Sequence, residues 1–116
     1  MEKLKKLIWI GASKKELQKM PAEVQDEMGY ALHLVQAGMF PESAKPLKGI
    51  SGVYEIKCDF DSSTYRTVYA LKLGDYIYVL HVFQKKSTSG IKTPKHEIDL
   101  VKQRLLAAKE IARGIK

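Results

Sequence analysis

The sequence lacks the features that several large classes of protein require. It has one cysteine, Cys58, among 116 residues, which excludes an internal disulfide framework and any zinc site built from several cysteines. A single thiol fits a reducing compartment, so we expect a cytoplasmic protein. No apolar run approaches the roughly 18 residues that a membrane-spanning helix needs. The apolar stretch at residues 7–10 is also too short for a signal peptide.

Motifs for metal-dependent and nucleotide-dependent chemistry are missing as well. Asp59 and Asp61 lack the further oxygen ligands of a calcium loop. Residues 49–52 lack the Lys-Ser or Lys-Thr that completes a phosphate-binding glycine loop. No two histidines stand at a ligand spacing on one helix. The sequence therefore predicts no metal and no cofactor. Any catalysis would then depend on the amino-acid side chains alone.

Acidic residues are scarce at the two ends of the chain, where basic residues accumulate. Residues 1–15 carry five lysines and one acid, and residues 85–116 carry nine Lys or Arg against three acids, in a chain of net charge +7. A fold that joins the ends would create a basic face, which favours a polyanion or an acidic protein partner. Solubility alone is the alternative explanation.

Hydrophobic periodicity divides the first half of the chain into three predicted elements. A strand at residues 7–10 precedes a short helix whose start, Ser13 to Glu16, has the spacing of a capping box. Pro21 separates this helix from a second one, which ends near Gly38. Residues 39–52 contain two prolines and two glycines and are predicted to form a connecting loop.

From Val53 the apolar period changes to two, which is typical of strands. We expect an antiparallel three-strand meander over residues 53–60, 65–73 and 76–84. Thr93 and Pro94 are a suitable N-cap and first-turn pair for a last helix that ends near Gly114. The prediction is one α+β domain spanning 1–116, with an N-terminal strand and helical hairpin, the meander, and a C-terminal helix.

Lys57 and Arg66 are the strongest candidate site residues. Both point away from the residues that alternate as the apolar set of their strands. If the two strands pair through the short turn near residue 61, these cations become neighbours and repel each other unless an anion lies between them. Lys85 and Lys86 follow at the exit of the last strand. We predict a phosphate-sized basic cluster, with solvated strand-end lysines as the alternative.

The three histidines differ in whether they are candidates for a functional site. His33 is expected at the surface or boundary of its helix. His81 lies in the central strand, where a hydrogen-bonded structural histidine is the commoner case. His96 stands beside Lys95 and near Lys92, and it is a candidate proton-transfer group because imidazole titrates near neutral pH.

Several short motifs of the sequence, together with this order of strands and helices, also occur in a known protein family. The most specific is the run from Phe83 to Ser87, followed by Thr93 and Pro94. The others are residues 47–49, 53–57, 65–69, 78–82, 92 and 97–98. Together they resemble the phage Gp49-like branch of the RelE/HigB toxins across nearly the whole chain.

The resemblance implies the RelE-like fold and the toxin of a bacterial type II toxin-antitoxin system. Such toxins are commonly metal-independent endoribonucleases, or mRNA interferases, that inhibit translation by cutting mRNA at the ribosomal A site. Attack of the ribose 2′-hydroxyl on the adjacent phosphate requires a base, cations and an acid. The implied partners are mRNA, the ribosome and a helix-turn-helix antitoxin.

The resemblance also implies roles for individual residues. Arg66 is assigned to the phosphate, Lys57 to proton transfer or charge stabilisation, and Glu55 to the base. Relatives place a tyrosine or histidine near the C-terminus, whereas this chain has no aromatic residue after Phe83 and only His96 beyond it. The implied RNA-binding residues are Lys85 and Lys86, and we add Lys92 and Lys95 as further RNA-binding candidates.

Two other functions fit the same sequence. A ParE-like toxin shares the fold and acts by binding DNA gyrase without cleaving RNA. A non-catalytic nucleic-acid-binding module would use the same basic residues for salt-dependent binding alone.

Overall fold

A mixed β-sheet with helices on both faces forms the centre of the protein. The computed structural model describes residues 4–86 and 93–114. In chain order the elements are β1 (Lys6–Trp9), α1 (Ser13–Gln18), α2 (Ala22–Gln36), β2 (Ala44–Pro46), β3 (Val53–Phe60), β4 (Ser63–Leu73), β5 (Tyr76–Lys86) and α3 (Lys95–Gly114). The strands lie in the order β1-β5-β4-β3-β2.

The predicted meander is confirmed. β3, β4 and β5 pair antiparallel in sequence order, while β1 pairs parallel with the other side of β5, which makes β5 an interior strand with a neighbour on each side. Asp61 and Ser62, with φ of 50° and 64°, form the two-residue turn between β3 and β4. This left-handed turn matches the twist of an antiparallel hairpin, and it fixes the register of the two strands.

Each face of the sheet carries its own hydrophobic core. Ile77 and Val79 of β5 pack in the core beneath α1 and α2, whereas Tyr78 and Leu80 pack in the core beneath α3. All four are 0% exposed, and burying a side chain of this size contributes roughly 1.5–3 kcal/mol. Cys58 lies in the core beneath α1 and α2, where burial raises the pKa of its thiol to about 12. The thiol therefore lies on the apolar side of its strand.

The predicted capping box at the start of α1 is wrong. Ala12 occupies the N-cap position, and no side chain caps the helix. Ser13 Oγ instead donates a hydrogen bond to the Val79 carbonyl of β5, 3.0 Å away, and the Glu16 carboxylate also reaches β5. Both polar side chains have tertiary partners, which replace the local contacts that their spacing suggested.

The predicted loop over residues 39–52 contains a short strand that the sequence did not reveal. β2 pairs antiparallel with β3 and places Lys45 opposite Glu55. Pro46 is tolerated because β2 lies at the edge of the sheet, where one side needs no hydrogen-bond donor. The strand matters for the site because it brings a further lysine to the sheet.

The helix boundaries agree with the prediction to within one or two residues. Gly38 follows Ala37, the C-cap residue of α2, and has a φ of 83°, as a glycine that ends a helix requires. The amides of Glu97 and Ile98 both donate to the Pro94 carbonyl, so α3 begins one residue later than a Thr93 N-cap predicts. Within residues 4–86 and 93–114, no helix is long and apolar enough to cross a membrane.

Candidate anion-binding site

Three rows of side chains cross β3, β4 and β5 on the face of the sheet that α3 partly covers. Residues paired across antiparallel strands lie about 5 Å apart, and successive rows on one face lie about 7 Å apart. The rows, which follow from the register of the three strands, are Glu55–Val68–His81, Lys57–Arg66–Phe83 and Asp59–Thr64–Lys85. The candidate residues from all three strands therefore share one small area.

The predicted pairing of Lys57 with Arg66 is confirmed by the register, but the two cations have different surroundings. Arg66 is only 4% exposed, and its Nη1 donates a hydrogen bond of 2.6 Å to Glu55 Oε1. The Lys57 side chain is 46% exposed, with its Nζ 3.8 Å from an Asp59 carboxylate oxygen. Arg66 is thus engaged inside the protein, whereas Lys57 is presented to solvent.

Lys45 is a site residue that sequence reasoning missed. Its Nζ lies 3.6 Å from Glu55 Oε1, and its side chain is 62% exposed. The residue belongs to β2, and a three-residue strand ending in proline has no periodic pattern that would have revealed it. Glu55 consequently lies between a buried guanidinium and a solvated ammonium.

Lys85 lies among the other cations of this face and is 9% exposed. Burial lowers the pKa of its ammonium, and the charges of Arg66, Lys57 and Lys45 lower it further, while Glu55 offsets part of this effect. We call Lys45, Glu55, Lys57, Arg66 and Lys85 the cationic cluster. It combines four basic side chains with one carboxylate, so an anion bound there would relieve the repulsion among the cations.

The ion pair at the base of the cationic cluster is incompletely hydrogen-bonded. Among the described residues, Glu55 Oε2 and Arg66 Nε have no hydrogen-bond partner, although both atoms are buried. Burying such a group without a partner costs about 1–3 kcal/mol. The protein therefore retains an unfavourable arrangement here, which is a common property of functional sites.

The remaining predicted residues lie apart from the cationic cluster or outside the described residues. Lys95 and His96 are exposed on the first turn of α3, and His96 Nε2 lies 3.8 Å from Glu97 Oε2. The structure does not show either residue in contact with the cationic cluster. Lys92 lies outside the described residues, as does the side chain of Lys86.

A second polar group lies on the same face, centred on His81. The imidazole is 5% exposed, with Nδ1 3.0 Å from Glu16 Oε1 of α1 and Nε2 2.7 Å from Glu97 Oε1 of α3. Arg104 of α3 binds both oxygens of Glu16, at 2.8 and 3.0 Å, and donates to the Leu80 carbonyl. We call Glu16, His81, Glu97 and Arg104 the bridging network. It confirms His81 as a hydrogen-bonded histidine.

The charges of the bridging network stabilise one another. Burial alone would raise the pKa of Glu16, but hydrogen bonds from His81, Arg104 and the Val82 amide outweigh it and bring the pKa to about 2. Burial alone would lower the pKa of His81, but the two carboxylates outweigh it and the pKa is raised. The network therefore favours an ionised Glu16 carboxylate and a protonated His81 imidazole.

A groove elsewhere on the described surface does not suit an anion. It has a volume of about 640 Å³ between α2 and residues 41–43, and its lining includes Asp26, Glu27 and Glu42. These carboxylates repel phosphate. Within the part of the chain that the structure describes, no three His, Cys, Asp or Glu side chains cluster as metal ligands would. The cationic cluster is therefore the best-supported site for a phosphate.

Comparison with known proteins identifies a family. Residues 15–106 match the family model described as phage-derived protein Gp49-like, and this range contains every candidate residue named above. No curated protein matches the chain. Among solved structures, the chain is similar to one in the RelBE2 toxin-antitoxin complex from Mycobacterium tuberculosis. The identity is 15% and the TM-score 0.49, and the match covers 71% of this chain and 92% of that chain.

Proposed function

Because this chain belongs to the phage-derived Gp49-like family, we propose that it is a RelE-like toxin that inhibits translation by cleaving ribosome-bound mRNA without a metal ion. The observation that carries the proposal is the cationic cluster, in which four basic side chains surround one carboxylate on one face of the sheet. Cleavage by the neighbouring 2′-hydroxyl needs positive charge at the scissile phosphate and a group to accept the hydroxyl proton. The cationic cluster contains both types of group.

Lys57 and Lys45 are proposed to bind the phosphate directly. Both ammonium groups are largely in solvent, so an RNA strand can reach them without any change in the sheet. Lys85 is proposed to add charge from beneath them, and its lowered pKa means that a bound phosphate would favour its protonated form. Preorganised cations of this kind stabilise the charge that develops on the phosphate in the transition state.

Glu55 is proposed as the base, with Arg66 as its positioning partner. The hydrogen bond from Arg66 engages Oε1 of the carboxylate, which leaves Oε2 without a partner among the described residues. Direct contact between Arg66 and a phosphate, as the resemblance implies, would require Arg66 to leave Glu55. Lys45, which contacts Glu55 and is mostly exposed, would instead turn from Glu55 to the phosphate.

Lys57→Gln tests the proposal, with Lys109→Gln as the matched control. Lys57 is proposed to contact the phosphate, while Lys109 is an exposed lysine in the second half of α3. Because one charge-assisted contact contributes about 1.5–3 kcal/mol, we expect Lys57→Gln to lower kcat/KM for ribosome-bound mRNA at least about tenfold. Lys109→Gln should cleave like the wild type. The measurement is primer extension on a defined mRNA programmed into purified ribosomes.

The same pair of variants separates the competing functions. Growth arrest with intact mRNA, equal for both variants, would overturn the proposal and favour a ParE-like toxin that binds gyrase. Salt-dependent RNA binding without cleavage by the wild type would favour a binding module. Arg66→Ala is a poor test because it leaves Glu55 buried without its partner, which destabilises the fold itself.

The proposed partner is a helix-turn-helix antitoxin that neutralises the toxin. The net charge of +7 would speed association with an acidic antitoxin surface. Co-expression of the protein encoded in the adjacent reading frame should abolish growth arrest and co-purify with this chain. Arrest that persists despite expression of that protein would contradict the pairing.

A further inference from the structure

The bridging network lies beside the cationic cluster, and its position suggests a role in RNA binding. His81 shares a row with Glu55, directly next to the row of Lys57 and Arg66. Its Nε2 reaches Glu97, which belongs to the first turn of α3. The network thus ties the beginning of α3 to β5, in the row next to the one that contains Lys57 and Arg66.

Two contacts hold this turn against the sheet. Ile98 packs against the core beneath α3, while the buried residues of the helix, Val101, Leu105 and Ala108, all lie beyond the first turn. Lys95 and His96 are exposed, whereas the Glu97 side chain is only 16% exposed. The contact between Glu97 and His81 is therefore a polar attachment of the first turn to β5, next to the apolar contact of Ile98.

The attachment is strongest when both ring nitrogens of His81 carry protons. Nδ1–H then donates to Glu16 and Nε2–H to Glu97, and each hydrogen bond joins opposite charges. Arg104 Nη1 also faces the ring, 3.2 Å from Nδ1, and it can donate to that nitrogen once the proton is lost. A neutral His81 therefore keeps its bond to Glu97 but without the charge that strengthens it.

We propose that Glu97 is a positioning residue which, through His81, holds Lys95 and His96 of the first turn of α3 in place to bind RNA next to the cationic cluster. The inference rests on the proposed ribonuclease function and extends it to residues that do not touch the cluster. It assigns RNA contact to the exposed residues of the turn and a purely internal role to Glu97 and His81.

Glu97→Ala and Glu97→Gln together separate positioning from charge. Both remove the same negative charge near the RNA, and by electrostatics alone both would lower KM. Only the alanine variant also removes the oxygen that accepts from His81 Nε2. We expect Glu97→Ala to raise KM about tenfold with kcat nearly unchanged, and Glu97→Gln to restore most of the wild-type KM. Glu110→Ala is the control, because Glu110 lies on the same helix and is 72% exposed beside Arg113.

A double-mutant cycle identifies the residue through which Glu97 acts. If the turn binds RNA through Lys95, the effects of Lys95→Ala and Glu97→Ala on KM should overlap, so that the double variant is no worse than the worse single one. Additive effects would overturn the inference. A KM for Glu97→Ala equal to that of Glu110→Ala, or a loss confined to kcat, would also overturn it.

Hydrogen exchange in the free protein keeps this inference distinct from the proposed function. The amides of Glu97 and Ile98 donate to the Pro94 carbonyl, and we expect them to exchange at least tenfold faster in Glu97→Ala than in Glu110→Ala. Unchanged exchange would refute the attachment even if the toxin cleaves mRNA. Faster exchange in a protein that does not cleave mRNA would instead refute the proposed function and, with it, the RNA-binding role of the turn.

Discussion

Two polar groups lie side by side on one face of the sheet and differ in how their charges are balanced. The bridging network combines two carboxylates with a guanidinium and an imidazole, and it joins α1, β5 and α3. The cationic cluster combines four basic groups with one carboxylate on β2, β3, β4 and β5. The first neutralises its own charge, while the second keeps an excess of positive charge.

The pKa shifts show the same contrast. In the bridging network, the neighbours of Glu16 bring its pKa down to about 2 and thus favour its charged form. In the cationic cluster, burial and the neighbouring cations lower the pKa of Lys85 and disfavour its charged form. The charges of the first group stabilise one another, whereas the second group would be stabilised by an anion from outside.

The largest expected effect comes from breaking the ion pair inside the cationic cluster. Arg66→Met fills the same space but leaves the Glu55 carboxylate, 4% exposed, without its guanidinium. Removing one partner of a buried pair costs about 3–5 kcal/mol, and we expect a loss of this size in the free energy of unfolding measured with urea. Glu55→Gln combined with Arg66→Met should recover part of it. A loss below about 1 kcal/mol for the single variant would show that the pair is not desolvated.

The next effect is the response of the bridging network to acid. The folded-state pKa of Glu16 is about 2, below the usual 4.5, so its contribution is complete above pH 4.5 and disappears as the pH falls toward 2. Allowing for solvent screening at a carboxylate that is 22% exposed, we expect about 2 kcal/mol. Urea unfolding between pH 6 and pH 2 measures it.

Glu16→Gln is the matched variant for this pH dependence, and Glu23→Gln on the exposed surface of α2 is the control. The stability of Glu16→Gln should vary less between pH 4.5 and pH 2 than that of the wild type, while Glu23→Gln should follow the wild type. Parallel curves for the wild type and Glu16→Gln would mean that another carboxylate controls acid unfolding.

The sequence predicted the two groups unequally, for a physical reason. Pairing of Lys57 with Arg66 follows from local information, because a period of two and a short turn together determine the register of a hairpin. The bridging network depends on contacts between residues distant in sequence, since Glu16 and Arg104 are 88 positions apart. Local spacing assigned Glu16 to a capping box, although its partners belong to β5 and α3.

Burial within the cationic cluster also escaped prediction. Alternation places Arg66 on the face away from Tyr65, but it cannot show that Glu55 is close enough to neutralise it. The carboxylate lies two residues from Lys57 and on the same face, so the sequence identified a common face without identifying the ion pair. Lys45 was missed altogether because β2 is too short to show a period.

The smallest expected effect tests the excess charge of the cationic cluster with inorganic phosphate. An anion that binds only the folded state stabilises it by RT ln(1 + [L]/Kd), which is about 0.4 kcal/mol at a concentration equal to Kd. We expect the thermal midpoint to rise by about 2 °C relative to chloride at matched ionic strength. Lys57→Gln should reduce this rise and Lys109→Gln should retain it. An equal rise with chloride, or in both variants, would show general screening of a basic protein in place of a phosphate site. At pH values above the second ionisation of phosphate, binding should also weaken as the pH rises further, because phosphate favours the protonated form of Lys85, whose own pKa is lowered. The charges of the bridging network are already paired, so we expect phosphate to have no such effect there. If the rise in the thermal midpoint persisted in Lys57→Gln but disappeared in Glu16→Gln, the bridging network and not the cationic cluster would be the phosphate site.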